Sequence, residues 1–119
     1  MRTTTDMWTY REGVANAGVS PRNVVGYGVE ATDGSIGKVD DATYDVGSSY
    51  LVVDTGPWIF GKKVMLPAGV IENVDHDDEK IMVDRSKDEI KNAPEFDDSM
   101  VRDEGYRTRL GSYYDEAGR

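Results

Sequence analysis

Two groups of carboxylates and one aromatic loop are the parts of this chain whose residue types could do chemistry. Asp75-His76-Asp77-Asp78-Glu79 is a continuous polar run, and hard cations such as calcium and magnesium take carboxylate oxygens that a turn can gather. The spacing departs from a calcium loop, which needs D-x-D-x-D-G closed by a glutamate. His76 is the single histidine, so one chain cannot build a multi-histidine site. Asp75, Asp77 and Asp78 therefore stand only as weak metal candidates. A solvated hairpin turn accounts for the run more simply, and neither a metal nor a cofactor is expected.

Asp40, Asp41, Asp45 and Asp54 form the second group, and two carboxylates in unlike environments can divide the roles of general acid and base. No cysteine, second histidine or nucleophile motif accompanies them. The chain also lacks G-x-S-x-G, a phosphate loop and a dinucleotide fingerprint; Gly26 and Gly28 give G-x-G without its third glycine. The aspartates read instead as bulge and edge solubilisers, and no enzyme activity is expected.

The third feature is Trp58-Ile59-Phe60, held between Gly56-Pro57 and Gly61 and followed by Lys62 and Lys63. Aromatic side chains at a loop tip are interface anchors when exposed, and barrel closures when they fold inward. The two lysines are too small a basic patch for nucleic acid. These five residues are the candidate binding surface.

Short strands separated by turn signals must position these groups. Val24 to Ala31 and Ile36 to Tyr44 read as a hairpin about Asp33-Gly34. In the second strand Val39 and Ala42 are three positions apart, so both face inward only if a bulge lies at Asp40-Asp41. After Gly47-Ser48-Ser49, the run Tyr50 to Val53 has no polar alternate and reads as a strand buried on both faces. Lys62 to Leu66 is a strand stopped by Pro67, Val70, Ile71 and Val74 suggest another, and Ile81 to Arg85 alternates. Ser86-Lys87-Asp88-Glu89 is a capping box that opens a short helix, with Ile90 inward and Pro94 at its end. Residues 1–23 and 97–119 read as weakly ordered tails around a domain at 24–96. Their large side chains, Met7-Trp8 with Tyr10 and Tyr106 with Tyr113-Tyr114, are more than a solvated linker needs, which points to docking.

The order G-x-x-G-K-V at 34–39, Y-L-V-V-D at 50–54, V-M-L-P-A at 64–68 and V-D-R-S-K at 83–87, closed by Ala93-Pro94, resembles free-standing bacterial PRC-barrel proteins. The resemblance implies a mostly β fold: a small antiparallel PRC β-barrel with one short C-terminal helix and flexible or docked tails. It also implies a barrel that docks on other macromolecules, with no shared catalytic residue to carry over. Known relatives include the cytoplasmic domain of the photosynthetic reaction-centre H subunit and the C-terminal domain of the ribosome maturation factor RimM. The first would give a photosynthetic role by family name only, the second an RNA-processing or ribosome-associated role.

Composition narrows these options. The 119 residues and 38% hydrophobic content suit one modest core, and no apolar run reaches the roughly 18 residues of a spanning helix. Zero cysteines and a polar start suggest a cytoplasmic protein. A formal charge of -9 repels phosphate, which disfavours nucleic acid as a partner. The expectation is a non-catalytic interaction or adaptor module that binds an unidentified protein and itself, as a homodimer.

Overall fold

The computed structural model describes residues 7–43, 49–56, 62–97, 99 and 103–117. One sheet holds β1 Gly28–Ala31, β2 Gly34–Ala42, β3 Tyr50–Asp54, β4 Lys63–Pro67, β5 Ile71–Asp75 and β6 Lys80–Val83, in the spatial order β4-β3-β2-β1-β6-β5. Helices α1 Glu12–Asn16 and α2 Pro21–Val24 precede it, and α3 Lys87–Lys91 and α4 Glu104–Ala117 follow. No helix among the described residues is long and apolar enough to cross a membrane.

The outermost strands of that order, β4 and β5, are consecutive in the chain, with only the 3-10 turn Ala68–Val70 between them. In a flat sheet they would lie five strand spacings apart, roughly 24 Å. Three residues of 3-10 helix advance only about 6 Å. The sheet is therefore rolled until its ends meet at this corner, the geometry of a small barrel. Ala68, Gly69 and Val70 are all buried there. The carbonyl of Val70 accepts from the Asp84 amide at 3.0 Å. Arg11 donates to the Gly69 carbonyl from Nε at 3.3 Å and from Nη2 at 3.1 Å, and pairs with Asp84.

Antiparallel pairing holds throughout except between β1 and β6, which run parallel. The β5–β6 hairpin turns the chain back so that β6 arrives beside β1 in the same direction. The bulge expected at Asp40-Asp41 is present: the register with β3 slips between Val39 and Asp41. A second slip, opposite Val29 and Glu30 of β1, falls at Ile36. Together they give β2 an inward period of three, with Ile36, Val39 and Ala42 buried. Tyr50, Leu51, Val52 and Val53 of β3 are all buried, as their unbroken apolar run requires. The first strand is shorter than the sequence suggested, since Val24 closes α2 and β1 begins only at Gly28. The turns expected at 47–49 and 57–61 lie outside the described residues, apart from Ser49.

Both flanks dock on the barrel. Met7, Trp8 and Tyr10 from one end, and Tyr106, Leu110 and Tyr114 from the other, belong to the same buried core as the strands. The Trp8 carbonyl accepts from the Ser49 amide at 2.8 Å. The Tyr10 hydroxyl donates to the Thr43 carbonyl at 2.6 Å. The guanidinium of Arg107 lies 5.2 Å from the Trp8 ring centre and 5.0 Å from that of Tyr50, so it links α4 to the N-terminal flank and to β3. Gly111 permits this approach, because a Cβ there would stand 2.8 Å from Trp8 Nε1. The 14-residue helix α4 was not expected from the sequence, where 97–119 read as a weakly ordered tail.

Gly37 sits where β2 bends over β3. Its φ is +146°, and a Cβ would meet the Asp54 carbonyl oxygen at 2.0 Å. Backbone strain of this kind costs about 1–3 kcal/mol before the clash is counted. Gly37→Ala should therefore lower stability by at least about 2 kcal/mol in urea denaturation; an unchanged midpoint would contradict the close β2–β3 contact.

Candidate functional site

Lys62 and Lys63 border a cavity of about 240 Å³ at the β4 end of the sheet. One wall is Lys62, Lys63, Val64 and Met65; the other is Ile90 and Lys91 of α3 with Ala93, Pro94, Glu95 and Phe96, and Tyr114 of α4 completes it. Successive residues of a strand face opposite sides of the sheet, so four consecutive lining positions place the cavity against the edge of β4.

Local sequence chemistry builds the second wall. Ser86 Oγ accepts from the Glu89 amide at 3.1 Å and Glu89 Oε1 accepts from the Ser86 amide at 3.1 Å, the expected capping box. That fixes α3 in phase, so that Ile90 is buried and forms wall. Pro94 stops any continuation of the helix, and the extended stretch after it carries buried Phe96 back along β4. The Tyr106 hydroxyl holds this stretch by donating to the Pro94 carbonyl at 3.1 Å. Tyr113 holds α3 by donating to the Glu89 carbonyl at 2.6 Å.

The rim is cationic. Lys62 pairs with Glu95 across the cavity, and this hydrogen bond and charge hold the lysine pKa above its ordinary value. Lys63 Nζ lies 3.0 Å from Asp40 Oδ2. Lys91 has no ion-pair partner among the described residues. Inside, Tyr114 is fully buried and its hydroxyl has no hydrogen-bond partner among the described residues. Burial, followed by neighbouring Tyr113 and Tyr106, pushes its pKa far up, with Arg85 opposing. Arg85 Nη2 also donates to the Tyr114 carbonyl at 3.0 Å, which anchors α4 to the sheet.

Of the remaining described candidates only Asp40, through Lys63, adjoins this site. Trp58, Ile59 and Phe60, and Asp45, lie outside the described residues. Among the described residues no group of three or more histidines or carboxylates is placed to hold a metal. His76 uses both ring nitrogens structurally: Nε2 meets the Ala17 carbonyl at 2.6 Å and so carries the proton, while Nδ1 accepts from the Tyr27 hydroxyl at 2.7 Å. Asp75 Oδ1 accepts from the Asp78 amide at 3.0 Å within the β5–β6 turn. Asp77 and Asp78 are exposed on that turn. Asp41 and Asp54 accept from the amides of Ala42 and Gly56, at 2.8 and 2.9 Å. Lys91, Glu95 and Phe96 were not singled out from the sequence, because the wall they form exists only once the chain after α3 is folded against β4.

Comparison with known proteins agrees with this architecture. No family model matches the sequence, and no curated protein does. Among solved structures, the chain is similar to a putative 16S ribosomal RNA processing protein RimM from Pseudomonas aeruginosa, with a TM-score of 0.50 and 18% identity. A PRC-barrel-like fold is what the two share. The match covers 59% of this chain and 45% of the other, so this chain spans less than half the length of that protein.

The buried tyrosines set an alkaline limit on stability. Burial raises the pKa of Tyr106, with Arg109 opposing, and raises that of Tyr114 from the ordinary 10.0. Above pH 10 the unfolded chain releases these protons while the folded chain retains them. Stability is thus intact below about pH 10 and falls above it, by about 1.4 kcal/mol per pH unit for each fully protected hydroxyl. Urea midpoints measured from pH 8 to 11.5 should drop, and less steeply in Tyr114→Phe. Equal slopes for the two proteins would show that the Tyr114 hydroxyl titrates freely.

Proposed function

We propose that this chain is a non-catalytic interaction module of the PRC-barrel family that self-associates through the β4 end of its barrel. The observation that carries the reading is the lysine rim: Lys62, Lys63 and Lys91 converge on one apolar cavity of a chain with net charge -9. Between residues 24 and 96 there are 7 basic and 15 acidic residues, so the acidic surface of a second copy is a complementary partner for this rim. Trp58, Ile59 and Phe60 lie one residue, Gly61, ahead of Lys62 in the chain, and serve as the apolar anchors of the same interface. A symmetric pairing lets one such patch serve both copies. The module works in the cytoplasm, docking a further protein through the same barrel.

A second reading rests on the fold it shares with the RimM structure, whose description is 16S ribosomal RNA processing. In it this chain is a ribosome-associated factor that contacts protein, since its negative field opposes direct phosphate contact.

Light scattering tests the first reading. At high micromolar concentration and low salt the protein should have the mass of a dimer. The pair Trp58→Ala and Phe60→Ala, and separately Lys62→Glu with Lys63→Glu, should each shift the mass toward the monomer. A monomeric wild-type protein would refute self-association. Salt-dependent binding to a ribosomal RNA fragment would instead favour direct RNA contact, against both readings.

A further inference from the structure

We propose that the cavity against β4 binds a small amphipathic carboxylate, with its apolar tail on Val64, Ala93 and Pro94 and its charged head at the lysine rim. The cavity volume, about 240 Å³, lies below the roughly 300 Å³ at which sites for drug-sized ligands begin. At about 30 Å³ per non-hydrogen atom it takes on the order of eight atoms, the size of a medium aliphatic tail. Val64, Ala93 and Pro94 are the partly exposed apolar positions of its lining, while Met65, Ile90 and Phe96 are almost wholly covered; this suits methylene groups and leaves a bare inorganic anion without partners for most of its surface.

The head group follows from the charges. Glu95 is the one acidic residue among the lining positions, and Lys62 neutralises it. Lys63 leans to Asp40, while Lys91 has no ion-pair partner among the described residues and is exposed at the rim. A carboxylate there gains charge-assisted hydrogen bonds; an ammonium would meet like charge.

This inference does not depend on self-association, and calorimetric titration with sodium octanoate separates the two. Octanoate should bind the Trp58→Ala/Phe60→Ala variant at least as tightly as wild type, whose self-association would cover the same rim. Octanol and octylamine should bind at least about tenfold more weakly. Lys91→Glu should weaken octanoate about tenfold or more without lowering thermal stability. Ala93→Phe, which fills the cavity from its half-buried rim, should abolish binding while circular dichroism stays native. Amide resonances that shift with octanoate should map to 62–65 and 90–96. Octanol binding as tightly as octanoate, shifts located elsewhere, or no heat of binding at millimolar octanoate would each overturn the proposal.

Discussion

A three-residue link governs this molecule. Because Ala68–Val70 is all that joins β4 to β5, two strands at opposite ends of the sheet order are tied at one corner, and every other element answers to that closure. The sheet must curl tightly, and a strand of strict two-residue alternation does not bend so sharply. β2 accommodates the curl with two register slips, and Gly37 lets its backbone pass against Asp54. Arg11 then reaches from ahead of α1 to the Gly69 carbonyl and Asp84, so the corner is held from outside as well as by the strands.

Closure at one corner does not close the β4 end. There the second wall is supplied by α3 and the chain that leaves it, and α4 lies behind both. The cavity is thus a product of the fold's least regular part: the Lys62–Glu95 pair crosses its mouth, and the Tyr106 and Tyr113 hydroxyls tie the second wall to α4. Exposed ion pairs of this kind contribute little to stability. The buried hydrocarbon of Ile90 and Phe96 contributes more, about 1.5–3 kcal/mol for each side chain removed from water.

The barrel was legible in the sequence because its rules are local. The conflict between Val39 and Ala42 could be resolved only by a bulge, Tyr50 to Val53 had no polar alternate, and Ser86 with Glu89 spelled a helix start; the structure shows all three. The helix α4 was hidden by its composition. Tyr106, Leu110, Tyr113 and Tyr114 recur at helical spacing, but Gly105, Gly111 and the charges between them dilute the signal. The docking of Trp8 and Arg107 was only hinted at by aromatics in a tail. Of the cavity, Lys62 and Lys63 were marked for their place beside an aromatic loop, whereas Lys91, Glu95 and Tyr114 reach it through tertiary contacts that no spacing rule encodes.

The Arg107 stack has a consequence for how the chain is made. Its lower ring, Trp8, leaves the ribosome early, and the guanidinium that covers it is encoded 99 positions later. At about 5–20 residues per second, that indole waits on the order of 5–20 s with its partner still unsynthesised. During this interval the barrel strands can pair, but the aromatic seam that joins Met7, Trp8 and Tyr10 to α4 cannot form. Until Arg107 is made, the Trp8 ring lacks the cation that stacks on it.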